Sequence, residues 1–217
     1  MKNLLKKEFR LCMHPAAWIM LSTCALALVP NYPYAVSFFY MTLGIFFICI
    51  GGRENHDAAY TMTLPVSRAA VVKGRVLFVC CLEGLQWLVM AAIVLIKRFI
   101  APGPNAAGMD ANIALLGEGL ILFGLFNIIF FPAYYRNISK VGVPFVKASI
   151  AVFLYVILAV AATYTVPFVR DQLDTPDPDH LTAKLGFLAL GLVWFTGLTL
   201  LSVRLSVRRF EKLDLQL

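Results

Sequence analysis

Long uninterrupted apolar runs are the feature that most restricts the fold of this chain. Four of them are as long as a membrane-spanning helix, which needs about 20 apolar residues to cross a hydrocarbon core of about 30 Å. They cover residues 76–96, 113–133, 148–169 and 185–203. The 60% apolar composition and the mean hydropathy of +0.80 lie far from the averages of soluble domains. The sequence therefore predicts an integral membrane protein.

A fifth apolar stretch, 15–52, is too long to be one span. Its 38 residues, at a rise of about 1.5 Å each, would greatly overshoot the hydrocarbon core. The Pro-Asn-Tyr-Pro segment at 30–33 must therefore be a turn between two short spans, at about 16–29 and 35–50. The predicted fold class is an all-α membrane protein with six transmembrane helices in a single domain, 1–217.

The first 14 residues have an amphipathic pattern, with leucines and Phe9 on one side of a helix and lysines on the other. This pattern predicts a helix that lies in the membrane interface. A secretory signal cleaved near Ala27 is the alternative. The acidic residue Glu8 and the second apolar segment that follows almost at once both argue against cleavage.

Lysine and arginine are unequally distributed between the two sides of this topology. Of the 19 Lys and Arg residues, four lie in the outer loops, and the rest lie in the N-terminal segment, 53–75, 134–147 and the tail at 204–217. The positive-inside rule then places both termini in the cytoplasm. Because the basic residues are dispersed beside apolar runs, the net charge of +7 favours contact with membrane lipids rather than with nucleic acid.

The longest polar interruption in the first half of the chain is 53–75, RENHDAAYTMTLPVSRAAVVKGR. Residues 54–63 contain no Pro or Gly and are predicted to form a short helix, which Pro65 ends. Ser67 suits the N-cap of a helix that continues into the third span. A rigid helix between two spans can transmit a push from a soluble partner. A solvated connector is the alternative interpretation.

Sequence motifs for nucleotide, hydrolytic or metal chemistry are absent. The chain has no G-x-x-x-x-G-K-[ST], no zincin motif and no G-x-S-x-G, and its five cysteines lie in or against apolar segments. Asp177, Asp179 and His180 could hold a metal, but a solvated loop explains them more simply. No catalytic or metal site is predicted, and any ATP must be bound by another chain.

Polar residues inside the third and fourth spans need an explanation, because a charge in hydrocarbon costs at least about 2.5 kcal/mol. Glu83, Gln86 and Trp87 form a polar and aromatic strip on one helix face. Together with Asn127 they are predicted either to line a translocation path or to pack against other helices.

Glu118 lies near the outer end of the fourth span, and Lys97 and Arg98 are its predicted partners. If Glu83 and Glu118 act on a substrate instead, the chain would be a membrane-embedded enzyme or a secondary transporter. These alternatives remain open from the sequence.

Two segments resemble the permeases of ABC-2 type transporters. The pattern in 53–75 that is similar to their first cytoplasmic loop consists of Glu54-Asn55, Tyr60, Leu64-Pro65-Val66-Ser67-Arg68, Val71-Val72 and Arg75. Lys6-Lys7-Glu8-Phe9 is similar to their N-terminal interfacial helix. Arg53 and the Asp-Ala-Ala sequence at 57–59 depart from the family pattern.

The resemblance implies a permease subunit of an ATP-driven exporter that is not itself an enzyme. In such permeases the loop helix is a coupling helix seated on a separate ATPase, and that partner binds ATP and magnesium. Two ATPases and a second permease copy, identical or a close paralogue, complete the assembly in a bacterial cell membrane. An amphipathic peptide or a lipid-like molecule is the implied cargo. The implied ATPase-coupling residues are Glu54, Asn55, Asp57, Tyr60, Leu64, Pro65, Ser67 and Arg68. Of these, the resemblance implies that Glu54, Asn55 and Tyr60 dock on the ATPase and that Leu64, Pro65, Ser67 and Arg68 hold the turn.

Overall fold

The computed structural model describes residues 2–100 and 103–213, and this part of the chain contains helices and connecting turns but no strand. Its helices are α1 Lys2–Lys7, α2 Pro15–Ser22, α3 Ala35–Glu54, α4 Asp57–Met62, α5 Arg68–Ile100, α6 Ile113–Tyr134, α7 Gly142–Thr165 and α8 Leu181–Glu211. Five of these, α3 and α5 to α8, are long and apolar enough to cross a membrane. The predicted all-α membrane fold is confirmed.

The N-terminal segment is a bent pair of short helices. α1 continues as a π-helical turn to Cys12, and α2 continues as a 3-10 segment to Leu28. The two halves meet at 84°, the geometry of a broken span or a re-entrant loop, so the described chain has five to six candidate spans. Pro15 opens α2, where its missing N–H costs nothing, and His14 caps it by accepting from the Ala16 amide at 3.1 Å.

The second span and the loop helix have different limits from those predicted. α3 continues to Glu54, and His56 then adopts a left-handed conformation with φ of 49°. The loop helix is therefore α4, Asp57–Met62, rather than 54–63. Ser67 behaves as predicted for an N-cap, because its Oγ accepts from the Ala70 amide at 3.2 Å.

The later helices extend beyond their hydrocarbon-spanning cores. α5 and α8 begin and end several residues outside the predicted spans, and α7 already starts at Gly142, inside the predicted 134–147 loop. At the helix ends, polar residues continue the helix and its backbone hydrogen bonds beyond the hydrocarbon. Hydropathy therefore marks the extent of the membrane span and not the full length of the helix.

α6 is the central helix, and α8 packs closely along it. A Cβ on Gly191 would lie 2.6 Å from the carbonyl oxygen of Gly117, so the two backbones touch. Small residues allow such close helix contact in membranes. α7 instead exposes an apolar face that includes Ile150, Ile157 and Leu158, as expected for contact with lipid.

The bundle has two polar ends. The terminal face, as we call it, holds α1, α4, the turn after α6 and the end of α8. On this face Tyr135 and Phe210 link the turn after α6 to the end of α8 by an edge-to-face contact, with ring centroids 5.2 Å apart. At the opposite face, the Nδ2 of Asn112 donates to the Leu173 carbonyl at 2.7 Å. Both ends of the described chain therefore lie on the terminal face.

Candidate functional site

The outer side of α4 and of the turn after it is accessible on the terminal face. Tyr60 is 61% exposed, Leu64 is 41% exposed, and Pro65 is also exposed. Thr61, one residue after Tyr60, is fully buried on the inner side. The loop thus presents an aromatic and an aliphatic side chain to the solvent, a composition that suits a protein interface.

The inner side of α4 is held by four charged residues, Lys7, Glu8, Asp57 and Arg75, which we call the charge cluster. Arg75 contacts both acids: its Nε lies 2.7 Å from Glu8 Oε2, and its Nη2 lies 2.6 Å from Asp57 Oδ2. Lys7 Nζ lies 2.6 Å from Asp57 Oδ1 and 3.3 Å from Glu8 Oε1. Glu8 and Arg75 are only 2% and 5% exposed.

The charge cluster joins three segments of the chain. Lys7 and Glu8 come from the N-terminal segment, Asp57 begins α4, and Arg75 lies in the second turn of α5. Lys7 Nζ also donates to Thr61 Oγ1 at 2.9 Å, which extends the contact along α4. A guanidinium group can bond two carboxylates at once, so burial of these charges is compensated.

Glu8, Asp57 and Cys12 also form a group of possible metal ligands, with ligand atoms within 4.8 Å of one another. Lys7 and Arg75 bond the same carboxylates. A divalent cation would have to displace these positive charges, so the geometry is that of an ion-pair network.

Arg68 anchors the beginning of α5 to the end of α8. Its Nη1 donates to the carbonyls of Phe210, Glu211 and Leu213 at 2.9, 2.9 and 2.7 Å. A cation at a helix C-terminus satisfies carbonyls that have no partner in the helix. The resemblance implied that Arg68 holds the turn after α4, whereas the structure shows its guanidinium holding the C-terminal end of α8.

Glu54 and Asn55 lie at the end of α3 and not in the loop helix. Glu54 is exposed, and its Oε1 lies 3.5 Å from Arg53 Nη2 in an exposed pair. Asn55 is the exposed C-cap of α3 and donates its amide to the Gly51 carbonyl at 3.0 Å. Both remain accessible on the terminal face.

The comparison with protein families decides the identity of this fold. A family model described as ABC-2 family transporter protein matches residues 3–211. The chain belongs to the ABC-2 transporter family. The match runs from α1 to the end of α8 and includes both the charge cluster and the exposed side of α4. No match was found among curated proteins or among solved structures.

Membership makes the chain a multi-pass membrane permease of an ABC transporter rather than an enzyme. Permeases of the ABC-2 family generally work with an ABC ATPase partner. The terminal face, where α4 is presented, is therefore the first place to look for the contact with that partner.

The polar residues predicted in the third and fourth spans of the permease form two neighbouring sets of hydrogen bonds inside the bundle. Asn127 Nδ2 donates to Glu83 Oε2 at 3.0 Å and to Thr199 Oγ1 at 3.2 Å. Gln86 Nε2 donates to the Ser37 carbonyl at 2.6 Å. We call these five residues the polar belt. It connects α3, α5, α6 and α8.

The polar belt lies within one permease chain and is buried. Glu83, Gln86 and Asn127 are at most 1% exposed. Trp87 donates its Nε1–H to the Leu116 carbonyl at 3.1 Å. None of the four predicted path residues lines the cavities of about 410, 520 and 110 Å³ found in the described part of the permease. Their contacts are those of polar packing between helices.

The predicted partners of Glu118 are wrong. Lys97 donates to the hydroxyl of Tyr34 instead, and no ion pair to Glu118 exists among the described residues. Glu118 is 3% exposed, and within the described chain its Oε2 has no hydrogen-bond partner. These residues lie in the predicted helices, but their neighbours differ from those predicted.

Sequence reasoning also missed the charge cluster, although all four of its residues lie in the two segments that carry the family resemblance. One signal was available. Glu8 is the only acid among the first 14 residues, which otherwise carry Lys and Arg. A lone acid on an interfacial helix needs a cation, and Arg75 lies at the same depth at the start of α5.

Proposed function

We propose that this permease is the transmembrane subunit of an ATP-driven exporter and that α4 docks on a separate ATPase. The observation that carries the proposal is the two-sided environment of α4. Its outer side presents Tyr60 to solvent, whereas Asp57 and Thr61 on its inner side bond Lys7 and Arg75. A coupling element needs both an accessible face and a firm attachment to the membrane helices.

The partner supplies the nucleotide chemistry in this proposal. The sequence contains no P-loop, so ATP and magnesium are bound by the ATPase. The excess of Lys and Arg on the terminal face supports a cytoplasmic location of that face in a bacterial membrane, where an ATPase would meet it. We expect two ATPases and two permease copies, either identical or closely related.

The proposed cargo is an amphipathic peptide or a lipid-like molecule, and this class rests on the family resemblance. The polar belt contributes little to that choice, because its residues are buried within one chain. In this proposal the cargo path runs between two permease copies, and the polar belt stabilises the helix bundle within each copy. The buried acids Glu83 and Glu118 line none of the described cavities, so an enzyme or a secondary transporter that uses them is not favoured.

A double substitution on the outer side of the loop tests the docking. Glu54→Ala with Tyr60→Ala removes two exposed groups and leaves the charge cluster intact. We expect much less ATPase to copurify with the permease, with permease levels in the membrane unchanged. Lys140→Ala, an exposed substitution in the turn after α6 on the same face, is the matched control. If copurification and ATP hydrolysis both survive the double substitution, α4 is not the docking element.

A further inference from the structure

We propose that Arg75 is a positioning residue that makes the N-terminal segment a working part of the coupling element. Through Glu8 and Asp57 it holds the N-terminal segment and α4 together on the base of α5. A displacement of α4 would then move the N-terminal segment and α5 with it. The mechanical part of this inference rests on the proposed function, whereas the attachment itself can be measured without any ATPase.

α4 cannot hold its own position. It has six residues, and isolated helices shorter than about 12 residues are marginal in water. His56 before it is in the left-handed region, so the helix is not a continuation of α3. Its orientation must come from tertiary contacts, and the shortest polar ones described for its side chains are those of Asp57 with Arg75 and Lys7, at 2.6 Å each.

The N-terminal segment depends on the same arginine. α1 also has six residues, and the π-helical turn after it contains Glu8, whose Oε2 lies 2.7 Å from Arg75 Nε. Leu4, one helical turn before Glu8, also packs on α5: a Cβ added to Gly74 would lie 3.4 Å from Leu4 Cβ. The N-terminal segment therefore lies on α5 through an apolar contact at Leu4, an edge-to-face contact of Phe9 with Phe78 at 4.8 Å between ring centroids, and an ionic contact at Glu8.

Arg75 is the residue that connects the two short helices, because its Nε and Nη2 bond acids from different segments. Lys7 pairs with Asp57 as well, but Lys7 belongs to the N-terminal segment, and its ion pairs among the described residues are with Glu8 and Asp57, not with α5. Removing Arg75 would leave the N-terminal segment and α4 attached to each other but without an ionic link to the helix that they must move.

The Leu4 contact provides a direct test. The distance of 3.4 Å between the two Cβ positions is close to that of a disulfide, about 3.5–4.5 Å. In a variant whose five native cysteines are replaced by Ser or Ala, Leu4→Cys with Gly74→Cys would cross-link the N-terminal segment to α5. The measurement is the rate of disulfide formation with a mild oxidant in membranes that contain the permease alone.

We expect rapid cross-linking when Arg75 is present and a rate at least about tenfold lower with Arg75→Gln, since a buried pair loses one partner. Glu8→Gln removes only the ionic attachment of the N-terminal segment, and it should also slow cross-linking. It provides the test in case Arg75→Gln folds poorly. Arg53→Gln is the matched control, because its pair with Glu54 is exposed. An unchanged rate in both Arg75→Gln and Glu8→Gln would overturn the proposal.

The second readout uses the permease with its copurified ATPase. Glu8→Gln should leave copurification unchanged while hydrolysis per ATPase falls towards the rate of the ATPase alone. In this variant, a disulfide between the cysteines of Leu4→Cys and Gly74→Cys should restore the hydrolysis rate. A disulfide that leaves hydrolysis at the rate of the ATPase alone would overturn the proposal. If no ATPase copurifies even with the unmodified chain, the proposed function fails, and the disulfide rates still decide whether Arg75 positions the N-terminal segment.

Discussion

The charge cluster on the terminal face and the polar belt inside the bundle both bury acidic residues, but they compensate them differently. In the cluster, Glu8 and Asp57 each lie within 2.7 Å of a nitrogen atom of Arg75. In the belt, Glu83 accepts from the neutral amide of Asn127 at 3.0 Å, and no Lys or Arg pairs with it among the described residues.

The difference shows what each region can do. Paired charges close to the interface make strong directional links between separate segments, and losing one partner leaves a buried charge. A carboxyl group deep in the bundle that meets only neutral donors behaves as one hydrogen-bonding group among others. The cluster should therefore be sensitive to loss of charge, and the belt should tolerate it.

The largest effect is expected for Arg75→Gln, which leaves Glu8 and Asp57 without their shared cation. Breaking a buried ion pair from one side typically costs about 3–5 kcal/mol, and Lys7 would recover only part of it. We expect a clear fall in the thermal unfolding temperature of the purified permease. Arg53→Gln, in the exposed pair with Glu54, should change it by little. Equal effects of the two substitutions would contradict the special role of the cluster.

A substitution at the close contact between α6 and α8 shows how much of the stability of the bundle comes from helix packing rather than from the charge of Glu83. Gly191→Leu would force a side chain into the position 2.6 Å from the Gly117 carbonyl. Overpacking of this kind costs about 1–3 kcal/mol or more, because α6 and α8 must move apart. Gly197→Leu is the control, since a Cβ there meets nothing within 4 Å. The unfolding temperatures of the two variants in one detergent give the comparison.

The charge cluster and the polar belt can be compared directly by making the same change, Glu to Gln, in each of them and measuring stability. Glu83→Gln keeps the shape of the side chain and the acceptor for Asn127, so we expect a change in stability within about 1 kcal/mol. Glu8→Gln should destabilise the permease by more, because Arg75 loses one of its two carboxylates. Transport that depends on the charge of Glu83 would instead place the belt on the translocation path, and an assay of cargo flux would detect this.

The smallest effect concerns the opposite face, where burial raises the pKa of Asp174 from 3.8 to about 6. Because the folded protein then holds a proton that the unfolded chain has lost, this group stabilises the fold most below about pH 4. That contribution declines as the pH rises through about 6. Unfolding temperatures between pH 4 and 7 should therefore fall less for Asp174→Asn than for the unmodified permease, and parallel curves would contradict the assignment.

The sequence predicted the spans better than the contacts. Hydropathy located α6 almost to the residue, since the ends of a predominantly apolar helix are set by the membrane itself. The cap at Ser67 followed from local chemistry. The end of α3 was missed because Arg53 and Glu54 are polar yet continue the helix beyond the hydrocarbon. Residues of this kind are equally suited to a loop and to a helix end.

The residues of the candidate site were predicted only in part. The exposure of Tyr60 agrees with its predicted role in docking, which stays a prediction. Glu8, as a lone acid, indicated that a cation was needed, but the choice of Arg75 depends on how three segments separated in sequence meet in the fold. The partner of Lys97 was missed for the same reason: periodicity gives the face of a helix but not its neighbour.

The central claim is that the outer side of α4 contacts an ATPase, and a cross-link from Tyr60 measures that contact directly. A photoreactive residue at position 60 is activated in native membranes, with the same residue at Ile157, on the apolar face of α7, as the control. If α4 docks on the partner, position 60 forms an adduct with a P-loop ATPase and position 157 forms none. Absence of such an ATPase from the adducts at position 60, or equal amounts at both positions, would show that α4 is not the docking element.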